Sequence, residues 1–301
     1  MWCLLPIFLL PALVTADTPT NRPPQLARVA EEADAMRQSL PKTLSREILR
    51  QHSVAVRVRF HPRFGKTAQS APYQDHEVVS EYTVRAFGQG AGGDLHELRQ
   101  VISVDGTPLR SPEEAGRALS PGIRSEDDRA RKRTLEDLAK HGLVDVAVDY
   151  GLILLAFTPR GLENMEIAPG PESRIGAAQA LGFNWKQASP EGGQLAFNGR
   201  RTVRLPLQGV LWVRKSDGLP LRVEAWAEYE ENRHRIRDEA TVEYVRSSHG
   251  FLTPTSVVHR HSVDGALMTE NRYTYRPFRL FSSDTDIRFT ETPASPQPAK
   301  K

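Results

Sequence analysis

The stretch LQGVLWVRKSDGLPLRVEAWAEYE, residues 207–230, decides the fold class. It reads as two alternating runs joined at Ser216-Asp217-Gly218, and Asp-Gly supplies the backbone freedom that a tight hairpin turn demands. The same rhythm continues through ATVEYVRS (240–247), LTPTSVVHRHSV (252–263) and LMTENRYTYRPF (267–278), with turn chemistry at His249-Gly250 and Asp264-Gly265. Upstream, ENMEIA (163–168), RIGAAQALGFNWKQ (174–187), GQLAF (193–197) and RTVRLPL (201–207) read as further strands, the last two turning at Asn198-Gly199. Strands joined by such short links must pair antiparallel.

The N-terminal half is mixed. Leu26, Val29, Ala30, Ala33 and Met36 recur at helical spacing, which predicts an amphipathic helix over 24–40. LSREILRQ (44–51) reads as a second helical piece leading into a strand, HSVAVRVRF (52–60). EVVSEYTVRAF (77–87) and HELRQVISVDG (96–106) form a hairpin across Gly88 to Asp94. Residues 112–156 break the strand pattern as a helical insertion. Pro112 opens a short helix, Ser125 and Asp128 have capping-box spacing for a longer one, and Gly142 ends it. LVDVAVDYGLILLAF (143–157) is apolar on both faces, and its leucine content favours a buried helix. The class is therefore α+β, built on an antiparallel sheet.

Length and composition allow one large β-domain over 17–291: 301 residues, 39% of them hydrophobic, are enough for a substantial core. Trp2 to Val14 is an apolar run too short to span a bilayer, ending in Val14-Thr15-Ala16, and residues 1–16 read as a cleaved signal peptide. The mature protein is then periplasmic or secreted with no transmembrane span. Cys3 is the only cysteine, so cleavage leaves neither a disulfide nor a thiolate metal site. Residues 292–301 are proline-rich and polar, a disordered tail. The net charge of +3 is spread among interleaved acids and bases rather than gathered on one face, which argues against a nucleic-acid partner.

Motifs for chemistry are sparse. Gly88 to Gly93, GQGAGG, matches G-x-G-x-x-G, but a strand follows where a dinucleotide site needs a helix. His76-Glu77 and His96-Glu97 are half of H-E-x-x-H, and both open strands, where residues four apart do not converge. Asp284 and Asp286 read as turn residues. His259 and His261 alternate on one strand and point the same way, with Val257 and Val263 on that face, so two imidazoles could share a metal if a neighbouring strand supplied a third ligand. No cofactor and no catalytic set is predicted. Phe183, Trp185, Trp212, Trp226, Tyr273 and Tyr275 lie in strands, and either fill a core or line an apolar cavity.

GVLWVRKSDGLPLRVEAW (209–226), EYVRSSHGFLTPTSVVHR (243–260) and the closing NRYTYRPFRLF (271–281) together resemble the lipoprotein-sorting carriers of the bacterial periplasm and their outer-membrane receptors. The resemblance implies a sheet curled into an incomplete barrel, with the N-terminal helix and the inserted helices packed on its hydrophobic concave side. It further implies a non-enzymatic protein whose partner is a lipid, acyl chain or other hydrophobic small molecule held in that half-barrel; no residue role is carried over from the family, and the six aromatics are the candidate lining only through their own place in the strands. Two other roles remain: an envelope interaction module that receives a protein on the sheet edge or trough, and a metal-dependent enzyme around His259 and His261.

Overall fold

The computed structural model describes residues 23–54, 73–87, 94–119, 129–146, 149–189, 194–198 and 201–281. The chain opens with α1 (Pro24–Ser39), followed by β1 (Thr43–Val54), β2 (Tyr73–Phe87), β3 (Asp94–Val104) and the two-residue β4 (Thr107–Pro108). Then come α2 (Pro112–Ala118), α3 (Arg129–Lys140), a 3-10 segment (Tyr150–Phe157) and α4 (Pro159–Glu163). The rest is β5 (Met165–Ile175), β6 (Ala178–Gln187), β7 (Gln194–Asn198), β8 (Arg201–Leu205), β9 (Gln208–Arg214), β10 (Pro220–Glu231), β11 (His234–Arg246), β12 (Leu252–Val263), β13 (Ala266–Tyr275) and β14 (Arg279–Leu280).

Twelve strands form one sheet in the order β4-β3-β2-β1-β13-β12-β11-β10-β9-β6-β5, with β14 beside β1, while β7 and β8 make a separate hairpin. Every described pairing is antiparallel, and the first strand meets a late one in the middle of the sheet, where β1 pairs with both β2 and β13. Edge strands β4 and β5 do not pair with each other, so the sheet stays open. This is the α+β incomplete barrel that the sequence led us to expect. The opening hairpin is β9–β10, in register from Trp212↔Arg222 to Gln208↔Trp226, with a register shift between Arg222 and Pro220 before the turn. Its turn needs glycine twice over: Gly218 has φ +70°, and a Cβ there would lie 3.3 Å from Gln25 Cα on α1.

The concave face carries the core. Leu211 and Val213 on β9, Val223, Ala225 and Ala227 on β10, and Ala240, Val242 and Tyr244 on β11 are buried together with Leu26, Val29, Ala33 and Met36 of α1. Helix α1 lacks a side-chain N-cap. Its buried Glu32 instead meets Arg28 at 2.5 Å and Arg246 of β11, which ties the helix to the sheet. The opposite face is a ladder of cross-strand ion pairs, among them Arg46–Glu81, Arg50–Glu77, Arg260–Glu270 and Arg237–Glu228. The exposed pair Arg50–Glu77 adds little stability, whereas Glu81 is fully buried and takes both Arg46 and Arg279.

Three expectations are corrected. LSREILRQ is strand, not helix: β1 buries Thr43, Ser45, Glu47, Leu49, Gln51 and Ser53 on alternate positions, and because five of these six are polar the alternation is invisible to a hydrophobic pattern. RIGAAQALGFNWKQ is not one strand, since the chain turns at Gly176-Ala177 between β5 and β6. The strand β5 extends through Pro169 and Pro171, tolerated because it lies at the sheet edge and is bulged there. The apolar end of LVDVAVDYGLILLAF is a 3-10 segment rather than an α-helix. The signal and tail assignments, the GQGAGG loop, Ser125, Asp128, Asn198-Gly199 as a turn, and Asp284 and Asp286 lie outside the described residues.

Candidate functional site

The space over the concave face is filled by the protein's own chain. The segment Tyr150–Phe157, YGLILLAF, packs against α1, α4, β3, β11 and β12, and its Leu152, Ile153, Leu154 and Phe157 are buried. Eight residues is long for 3-10 geometry, whose hydrogen bonds are poorer than those of an α-helix and whose runs seldom exceed three or four. The segment therefore relies on side chains of the sheet. Leu154 N–H donates to Tyr244 Oη at 3.1 Å, and the Tyr244 hydroxyl donates to the Gly151 carbonyl at 3.3 Å.

Glu97 on β3 fastens the start of this plug. Its carboxylate accepts the backbone N–H groups of Asp149 at 2.7 Å and Gly151 at 3.0 Å, and its own N–H donates to Asp149 Oδ1 at 2.8 Å. The same carboxylate takes the Tyr82 hydroxyl at 3.1 Å and Arg99 Nη2 at 2.7 Å. Arg99 in turn forks onto Glu47 of β1 at 2.7 and 2.8 Å. These three charged side chains are only 1–3% exposed. Arg99 lies between the rings of Tyr82 and Tyr273, 5.4 and 5.5 Å from their centroids. Burial pushes the Glu97 carboxyl up against the opposing pull of Arg99.

A second polar cluster occupies the concave face beyond Tyr150. His259 and His261 do share a face, and both turn to Asp238 of β11, His261 Nδ1 at 2.8 Å and His259 Nε2 at 3.4 Å from the same oxygen. Tyr229 donates to the other Asp238 oxygen at 3.1 Å. The Asn271 amide donates to His259 Nδ1 at 3.2 Å and accepts from Gln51 Nε2 at 2.6 Å, while Gln51 exchanges hydrogen bonds with the backbone of Val144. The Tyr150 ring lies over His259 at 5.1 Å, so the plug's first residue rests on this network. The imidazoles are joined through a carboxylate rather than arranged around an ion, and among the described residues no group of three or more potential ligands could hold a metal.

This cluster predicts a pH dependence. Burial resists charge on His261, but the hydrogen bond and negative charge of Asp238 prevail and raise its pKa. Burial likewise opposes the Asp238 carboxylate, yet the two histidines hold it well below the ordinary range. His261 thus stabilises the fold fully below about pH 6.5 and loses that contribution as pH rises through its raised value. Asp238 contributes fully above about pH 4 and fades as pH falls through its lowered value. In urea melts, the deficit of His261→Gln relative to wild type should be largest at about pH 4.5–6.5 and should shrink toward about pH 9. A deficit that grows with pH would contradict this assignment.

The six strand aromatics divide between the two faces. Phe183, Trp185 and Tyr273 are buried in the concave core, Trp185 against Phe157 with centroids 5.2 Å apart, and Tyr275 packs edge-on to Tyr82 at 5.0 Å. Trp212 and Trp226 fall on the opposite face. Trp212 donates its indole N–H to Glu224 at 3.1 Å, and Trp226 has the Arg237 guanidinium over its ring at 5.1 Å.

No family model matches the chain, and no curated protein does. Solved structures similar to it include the following two. One is a LolA superfamily protein from Nitrosomonas europaea, 10% identical over 85% of this chain and 94% of that one, with a TM-score of 0.33. The other is a DUF1329 family protein from Desulfovibrio piger, 10% identical over 89% of this chain and 98% of that one, also with a TM-score of 0.33. No helix among the described residues is long and apolar enough to cross a membrane.

The two His-Glu pairs that fall short of a zinc motif have a different use. An aspartate with positive φ clamps each of them, one carboxylate oxygen taking the histidine Nδ1 and the other the next backbone N–H. Asp105 (φ 49°) holds His76 and Glu77 at 2.8 Å each, and Asp149 (φ 66°) holds His96 at 3.0 Å and Glu97 at 2.8 Å. Asp264 (φ 50°) repeats the arrangement on His234-Arg235. The partners stand 29, 53 and 30 residues apart, so no local motif could have joined them.

Proposed function

We propose that the protein is a non-enzymatic carrier or sensor of an apolar ligand, an acyl chain or a similar oily molecule, working in the periplasm or outside the cell. The ligand would lie between the concave face and its helical cover, in the place that Tyr150–Phe157 now fills. One observation carries this reading: an eight-residue apolar stretch lies in that space in weak 3-10 geometry, fastened at its start by the polar latch of Glu97. What one apolar chain fills, another can fill. Burial of four large apolar side chains is worth roughly 6–12 kcal/mol, and that of a twelve-carbon acyl chain about 10 kcal/mol. Ligand and plug are therefore matched closely enough to exchange.

Strand addition at the sheet edge is the weaker reading. Edge strand β5 carries Pro169 and Pro171 beside a bulge, which removes donors that an incoming strand would need.

The test is mass spectrometry of organic extracts from the gently purified protein, beside an unrelated secreted control, together with titration by a fluorescent fatty acid. Enrichment of an acyl lipid and saturable probe binding are expected. Absence of both would sink the proposal.

A further inference from the structure

The uncovered face of the sheet holds a groove that belongs to neither the plug nor its latch. Its volume is about 370 Å³, within the usual range for small-molecule sites of roughly 300–1,000 Å³. Pairing register places Glu166 and Ala168 of β5, Asn184 and Lys186 of β6, Gln208 of β9 and Trp226 of β10 on this face. Backbone at Ile167, Trp185 and Gly209 runs between them. Gly209 is obligatory there, because a Cβ would lie 1.8 Å from the Glu224 carbonyl oxygen where β9 approaches β10.

Two features set this groove apart. First, the indole of Trp226 is fixed in advance. Arg237 covers one side of the ring and is itself held by Glu228 at 2.6 Å and Glu239 at 2.9 Å, while the indole also lines the groove. Second, the polar rim is unspent: the side chains of Glu166, Asn184, Lys186 and Gln208 have no hydrogen-bond or ion-pair partner among the described residues. The contrast lies on the same face. A larger concavity of about 450 Å³ around Arg50, His52, Asp75, Glu77, Glu270 and Arg272 has its charges already paired, Arg50 with Glu77, His52 with Asp75 and Arg272 with Glu270. It has little left to offer a ligand.

We propose that the Trp226 groove is a binding site for a neutral saccharide. The flat indole suits the C–H face of a pyranose ring. The carboxamides of Asn184 and Gln208 each present donors and an acceptor, as neighbouring hydroxyls require. Glu166 and Lys186 supply one further acceptor and one further donor of opposite charge, so their charges cancel and no ionic ligand is favoured. The site stands on the opposite face from the plug and does not depend on the acyl-ligand reading.

Tryptophan fluorescence and titration calorimetry with a panel of glucose, galactose, mannose and N-acetylglucosamine, each as monomer and tetramer, test the assignment. At least one tetramer should bind saturably below about 10 mM, the regime of weak specific sites. Trp226→Ala should weaken it roughly tenfold, Trp226→Phe less, and Gln208→Ala about threefold, with thermal melts confirming that each variant folds. The proposal is overturned if no sugar in the panel saturates, if Trp226→Ala binds as well as wild type, or if dodecyl glucoside, titrated beside the panel, binds where no tetramer does, which would make the groove an alkyl site.

Discussion

Replacing Arg99 with methionine is expected to lower the unfolding free energy by about 3–5 kcal/mol, because it leaves the carboxylates of Glu47 and Glu97 buried without their shared cation. Methionine keeps most of the side-chain volume, so the loss reports charge rather than a cavity. Urea unfolding followed by circular dichroism measures it. The double variant R99M/E47L should recover about half of the loss, since it removes one of the two orphaned charges and leaves Glu97 buried without its cation. Glu97 is left intact in both, because its carboxylate also holds the N–H groups of Asp149 and Gly151. A loss under about 1 kcal/mol for Arg99→Met would mean that water reaches these charges and that the cluster is no interior latch.

That cluster also explains how far the sequence could be read. The β9–β10 hairpin was legible because its buried positions are apolar, Leu211 and Val213 against Val223, Ala225 and Ala227, and Asp217-Gly218 marks the turn. The strand β1 was not, because its buried side takes Glu47 to Arg99 and Gln51 to Asn271, partners that arrive from 52 and 220 residues away. A local pattern shows that a residue is polar but not that its partner lies buried beside it. The helical insertion was foreseen as a break in the strand rhythm. Its last turns could not be assigned to 3-10 geometry, because Tyr244, 90 residues distant, holds Leu154 N–H. His259 and His261 were rightly placed on one face, while Asp238, the group that joins them, stands on the neighbouring strand and gave no signal. The aromatics were visible as strand residues, but which face each would take depended on register, and one step of register separates Leu211 in the core from Trp212 outside it.

Phe157→Ala is the variant that separates a plug from an ordinary core segment. Phe157 is fully buried and meets Trp185 edge to face, so truncation should lower stability by about 3–5 kcal/mol. In a core without a binding role nothing else would follow. If the segment Tyr150–Phe157 occupies a ligand trough, the same truncation removes the largest purely apolar side chain competing for it. A fluorescent fatty acid should then bind at least about tenfold more tightly than to wild type, a gain of roughly 1.4 kcal/mol. Leu138→Ala on α3 is the control: it empties a comparable volume where the helix packs on β3, and it should destabilise without raising probe affinity. Equal gains in both variants would show that the probe binds loosened structure in general. No gain in Phe157→Ala, with the expected loss of stability, would show that the concave face holds its own side chains and admits nothing else.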